Sequence, residues 1–307
     1  VVVPSELPKV EMSPGGPIFS AFVQGYWRMS DWQRSPQEHL SFLNQHIELG
    51  VTTVDHAHVY GNPSCETLFG EALKLSPSLR DKIEIITKCG IDLVSPNNQD
   101  EKVNHYNSSR EAVLASVDLS LSRLGVESVD VLLIHRPDYL MELDELAEAF
   151  DTLKQAGKVQ HFGVSNFSDT QYASLQSRLD SSLVTNQVEI NPLNTAVLDD
   201  GTLDQLQTLR VRPMGWSCLA GGRFFSEESE QIVRTKYILN KVAEEIGADS
   251  IDQVLFAWAR RLPSKPVPII GSGNIERVQS AVASQSLTLT NEQWYRIWVA
   301  AKGHGVP

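Results

Sequence analysis

Four side chains able to move protons or hold a metal, Asp55, His56, His58 and Tyr60, lie together in the segment VTTVDHAHVYG, residues 51–61. The β-branched run Val51, Thr52, Thr53, Val54 favours a packed strand that ends at Asp55 and runs into a turn closed by Gly61. A carboxylate at the end of a buried strand is costly unless something pairs with it. Two later apolar segments end in candidate partners: IEIITK ends at Lys88 and VDVLLIH ends at His135. A tyrosine can give its proton to a developing alkoxide, but its ordinary pKa of about 10 makes it sluggish near neutrality. An ammonium beside it lowers that pKa, and a carboxylate keeps the ammonium charged. Asp55, Lys88 and Tyr60 therefore read as a proton relay, with His135 placed to hydrogen-bond a substrate oxygen.

A rival chemistry uses His56 and His58, which with Lys88 and His135 suggest a metal-dependent barrel hydrolase. Side-chain alternation speaks against it, because an inward Asp55 turns His56 toward the helices. Such a site also wants an acid after the last strand, where Gly271 stands. No metal is expected.

The elements that must position these groups alternate along the chain. Strands are expected at 22–27, 51–55, 83–88, 129–135, 159–164, 183–190, 212–216 and 267–270. Between them run amphipathic helices, the first opened by the capping box Ser35-Pro36-Gln37-Glu38 and stopped by Gly50. This is the pattern of a (β/α)8 TIM barrel, here one domain over residues 1–307. A doubly wound sheet lacks its fingerprint, since Gly271-Ser272-Gly273 is followed by Glu276 where a third glycine should stand. Such barrels carry the active site at the C-terminal strand ends. Those ends are polar throughout: Asp55 with Tyr60, Lys88, His135, Ser165-Asn166, Gln187, Trp216-Ser217 and Gly271-Ser272.

Composition narrows the partners. A net charge of −12 over 307 residues disfavours nucleic acid and acidic membranes. No apolar run approaches the ~18 residues of a membrane span, and nothing near Val1 has the regions of a signal peptide. Cys65, Cys89 and Cys218, without CxxC spacing, read as reduced thiols. A cytoplasmic protein, monomeric and acting on a small molecule, is expected.

The motifs VDHAHVYG, ITKCG, LLIHRPD, HFGVSNF, NQVEINP and PIIGSGNIERV resemble the aldo-keto reductase family over essentially the whole chain, most closely a bacterial branch of it. The resemblance implies carbonyl reduction by NADPH, with Asp55, Tyr60, Lys88 and His135 at the catalytic positions and Tyr60 the proton donor. It places Ser165, Asn166 and Gln187 on the nicotinamide carboxamide and Trp216 against its ring. Ser217, Leu219, Gly221 and Arg223 would line the pyrophosphate. Gly271, Ser272, Asn274 and Arg277 would surround the adenosine phosphate at a helix N-terminus, and Tyr26, Trp27 and Asp55 would complete the cofactor site. The family's frequent Lys on that phosphate is replaced by Gly271, so NADH is expected to serve as a weaker alternative. Arg136 stands after His135 where many members carry Trp, and the long C-terminal substrate loop is missing. Trp27, Trp216 and the polar loop 92–106 are the pocket walls that remain. A barrel that binds the cofactor only to sense redox state is the remaining alternative.

Overall fold

The computed structural model describes residues 6–96 and 98–307. Chain order opens with a short hairpin, β1 (Lys9–Glu11) and β2 (Ile18–Ser20). Then come β3 (Val23–Gly25), α1 (Pro36–Glu48), β4 (Thr53–Asp55), α2 (Cys65–Lys74) and β5 (Glu84–Cys89). A second hairpin, β6 (Ile91–Asp92) and β7 (His105–Tyr106), precedes α3 (Arg110–Leu124), β8 (Val129–Ile134), α4 (Leu143–Gln155), β9 (Val159–Ser165) and α5 (Asp169–Gln176). The second half runs β10 (Asn186–Glu189), α6 (Ala196–Asp199), α7 (Thr202–Leu209), β11 (Met214–Trp216), α8 (Arg223–Ser226) and α9 (Glu230–Ile246). It closes with α10 (Ile251–Arg260), β12 (Val267–Ile270), α11 (Ile275–Ala283) and α12 (Asn291–Lys302).

Eight strands, β3, β4, β5, β8, β9, β10, β11 and β12, close a parallel barrel in sequence order, with β12 returning to pair with β3. Inward side chains of these short, β-branched-rich strands fill the interior, Val23, Ile86, Val131, Leu133, Met214 and Val267, joined by Val184 from the loop before β10. The first hairpin adds Met12 and Phe19 to the same cluster, and the backbone N–H of Arg212 donates to Met12 O at 2.7 Å. That hairpin therefore closes the end opposite the polar strand ends. Outward side chains meet the helices in a larger core around Phe22, Phe69, Val117, Leu146 and Trp258.

Helix starts follow their caps. Ser35, Ser168 and Thr290 form reciprocal capping boxes with Glu38, Gln171 and Gln293. At the C-terminal ends of the inward-facing strands the side chains become polar, and the site begins there.

Candidate active site

Asp55 ends β4 and Lys88 lies on the neighbouring β5; both point inward, are buried, and pair at 2.7 Å. All three ammonium hydrogens of Lys88 have acceptors: Asp55 Oδ2 at 2.7 Å, the Tyr60 hydroxyl at 2.8 Å and the carbonyl of His56 at 3.0 Å. The other oxygen of Asp55 accepts from Gln187 Nε2 at 2.9 Å. A buried charge pair is tolerable only when its remaining sites are satisfied in this way. Tyr60 and His135 are half-buried, above the pair, and their rings meet edge to face with centroids 5.9 Å apart. The ion pair thus lies beneath a phenol and an imidazole that line the barrel mouth.

The electrostatics correct one expectation. Burial first, and the charge of Asp55 second, push the Tyr60 phenol well above its ordinary range, rather than Lys88 pulling it down. A phenolate here would form out of water beside a carboxylate, while the ammonium is shared with that same carboxylate. Lys88 itself is lowered by burial and raised in part by Asp55. His135 is held well below its usual value by burial, then by the charges of Lys88 and Arg136, so it is a neutral imidazole near neutrality. The arrangement is a protonated phenol with a cation donating to its oxygen and a neutral hydrogen-bonding ring alongside.

The neighbouring strand ends form one connected network. Ser165 Oγ donates to the carbonyl of Gln187 at 2.8 Å, and Asn166 Nδ2 donates to the carbonyl of His135 and to Ser165 Oγ, both at 3.1 Å. Asn166 Oδ1 accepts from Trp216 Nε1 at 3.1 Å, with Asn166 held at φ +60°. Past Trp216, Ser217 and Gly221 are also left-handed, at φ +50° and +64°, and bend the loop that carries Leu219. Arg223 on that loop is exposed and grips Glu227 by two bonds of 3.0 and 3.1 Å. Asn274 caps α11 through Glu276 N at 2.8 Å, and its own N–H donates to Ser272 Oγ at 3.1 Å. The Arg277 side chain is exposed and makes no hydrogen bond or ion pair among the described residues, and the space over Gly271 is open. Trp27 is exposed at the mouth, with the Arg28 guanidinium 5.2 Å from its ring centre.

Tyr26 does not fit the cofactor site. Its ring points outward into the strand–helix core, its hydroxyl donates to His46 Nε2 at 2.7 Å, and it stacks on His56 at 4.9 Å. Alternation along the strand end turns it away from the mouth. The proposed metal ligands are also apart: in the loop after β4, His56 is packed among Tyr26 and Phe69, whereas His58 accepts from Arg123 at 3.3 Å and meets Ser116 at 3.1 Å. Among the described residues the one cluster of three metal-ligand groups is Asp92, Glu101 and His105, in the second hairpin.

Two features escape sequence reasoning. Arg34 donates to the carbonyl of Gly273 at 2.6 Å and stacks on Trp32 and Phe42, so a second arginine flanks the loop where the expected Lys is missing. Trp32 lies so close to Gly273 that a Cβ there would come within 2.4 Å of its ring. The Gln187–Asp55 bond is the other; it spans 132 residues and only closure of the barrel brings the two together.

A parallel (β/α)8 barrel with polar C-terminal strand ends is the scaffold of a barrel enzyme. The sequence profile of the Aldo/keto reductase family matches residues 21–301, and the chain belongs to that family. It is 54% identical to the oxidoreductase YdhF of Escherichia coli (strain K12), over 97% of this chain and 99% of that protein. It is 38% identical to a 6-dehydroglucose reductase of Agrobacterium fabrum, over 94% of this chain and 96% of that protein. Among solved structures it resembles a thermostable aldo-keto reductase, Tm1743, crystallised with the inhibitor epalrestat, at a TM-score of 0.79 and 26% identity over 95% and 99% of the two chains. The chain is therefore a pyridine-nucleotide-dependent oxidoreductase of carbonyl compounds.

Proposed function

We propose that the chain reduces aldehyde or ketone carbonyls to alcohols with NADPH, with Tyr60 as proton donor. The observation that carries this reading is the Tyr60 hydroxyl, 2.8 Å from the Lys88 ammonium and beside the neutral His135 at the barrel mouth. When bound, the reduced nicotinamide supplies a hydride to the carbonyl carbon. Tyr60 gives its proton to the carbonyl oxygen as charge builds there. Lys88 then donates to a phenolate oxygen instead of a phenol, and Asp55 holds Lys88 charged throughout. His135 orients the substrate oxygen by a hydrogen bond.

The donor set at the mouth suits a dinucleotide. Gln187 Oε1 has no partner among the described residues, and with Ser165 and Asn166 it would hold the carboxamide, which needs both donors and acceptors. Trp216 would lie against the nicotinamide ring, and Trp27 beside it. Ser217, Leu219, Gly221 and Arg223 would line the pyrophosphate. The turn Gly271–Asn274 with Arg277 would take the adenosine phosphate, and the unpartnered Arg277 favours NADPH over NADH.

Loss of NADPH absorbance over a panel of aldehydes and ketones tests the reaction; binding without turnover on any of them contradicts it. Arg277→Ala tests the cofactor. A charge-assisted hydrogen bond is worth roughly 1.5–3 kcal/mol, so its loss should raise the NADPH dissociation constant about ten- to a hundredfold. NADH should change little. Equal losses for both cofactors would remove Arg277 from the phosphate.

A further inference from the structure

Arg136 follows His135 directly and is half-buried at the barrel mouth. Arg80, Arg123 and Arg34, also partly buried, have acceptors: Arg80 pairs with Asp130 at 3.0 Å, Arg123 with Glu66 at 3.6 Å, and Arg34 meets the Gly273 carbonyl at 2.6 Å. The partly buried side chains of Arg212 and Arg260 have none among the described residues, but they lie by Met12 and Phe22, away from the polar strand ends. Arg136 makes no hydrogen bond, ion pair or ring contact among the described residues. Withdrawing a cation from water without a partner is costly. In a chain with 38 acidic and 26 basic residues an acidic partner is not scarce, so the missing one reflects position. The position is next to the reacting group, since adjacent Cα atoms stand about 3.8 Å apart. Its charge, with that of Lys88, already acts on His135.

The loop that carries Arg136 also exposes apolar groups. Tyr139 and Leu140 on it are 94% and 86% exposed, and Trp27, on the loop after β3, is 61% exposed. Large exposed apolar groups around a polar centre mark a binding surface. For a substrate whose carbonyl oxygen rests at His135, Arg136 is the next residue of the chain, and Tyr139 and Leu140 stand on the loop that follows.

We propose that Arg136 is a substrate-binding residue that receives a carboxylate, so that the favoured substrates are aldehydes or ketones with an apolar body and an anionic end. The inference rests on the carbonyl-reducing reading above. A guanidinium fork suits it, because it meets a planar carboxylate through two parallel hydrogen bonds. The apolar groups then hold the body of the molecule while Arg136 sets its direction.

The test compares para-formylbenzoate with its methyl ester, two aldehydes of nearly the same shape that differ in charge. Steady-state kcat/KM with NADPH is measured for wild type, Arg136→Gln and Arg136→Lys, and NADPH affinity of each variant verifies that the barrel is intact. Wild type should prefer the acid. In Arg136→Gln the acid-to-ester ratio should fall about tenfold or more, the worth of one charge-assisted hydrogen bond, and in Arg136→Lys it should fall less. A wild type that reduces both equally, or the ester better, overturns the proposal and leaves carbonyl reduction standing. An equal loss on both aldehydes in Arg136→Gln also overturns it, because Arg136 would then act only through His135. A wild type that reduces neither overturns the proposal together with the reading beneath it.

Discussion

Tyr60 can serve as an acid at neutral pH because its surroundings keep the proton on it. Burial and Asp55 raise the phenol, and Lys88 already donates to its oxygen, a bond that strengthens when the proton leaves. A general acid loses activity as pH rises through its pKa, and kcat/KM reports the free enzyme. With that pKa above the ordinary value of about 10, kcat/KM for reduction should stay level through neutral and mildly alkaline pH and decline only beyond about pH 10. A decline centred well below that value, measured with a neutral aldehyde, would contradict the assignment. The types and spacing of Asp55, Tyr60, Lys88 and His135 were legible in the chain, since each closes or follows an apolar run. The direction of the tyrosine shift was not, because it depends on how much water reaches the hydroxyl and on the distance to Asp55.

At the scale of elements, the alternation of β4 sends Asp55 into the barrel and His56 into the core between strands and helices. His56 is fully buried, stacked on Tyr26, and neither ring nitrogen has a hydrogen-bond partner among the described residues. Burial, then the charge of Lys88, lower its pKa to about 3. The unfolded chain takes up a proton near the ordinary value of about 6.5, so between those values it binds more protons than the folded one. Stability from a neutral His56 is full above that ordinary value and is lost as pH falls toward the folded one. His56→Phe keeps an aromatic ring in the stack and removes the titration. It should hold or raise the melting temperature at neutral pH and narrow the gap between neutral and pH 5. An unchanged gap would show that His56 takes no part in acid sensitivity; His46 and His58, each lowered to about 4 mainly by burial, would then account for it.

Element order was readable because apolar runs and caps mark it, and the helix expected from the Ser35–Glu38 capping box forms over Pro36–Glu48. The strand ends were not. The run 183–190 pairs only over Asn186–Glu189, and the run 22–27 only over Val23–Gly25, because burial of a loop residue such as Val184 in the barrel interior looks like strand in a sequence. The hairpin of β1 and β2 is too short to show a period.

For the whole molecule, barrel closure is what creates the site. It joins Asp55 to Gln187, bonds Asn166 to Trp216, and leaves the side chains of Arg136 and Arg277 without an acceptor among the described residues of a chain of net charge −12. Family membership follows from motifs distributed along the chain. The half-burial of Arg136 and the company of Arg34 follow from loop geometry, which carries no periodic signal. The most direct measurement of the central claim is single-turnover reduction of a neutral aldehyde by Tyr60→Phe with NADPH, paired with the NADPH dissociation constant. General-acid catalysis contributes about a hundred- to ten-thousandfold, so the chemical step should slow by that factor while NADPH binding changes by less than about threefold, as expected for loss of one hydroxyl outside the phosphate site. A variant that still turns over at more than about a tenth of the wild-type rate would contradict Tyr60 as the proton donor.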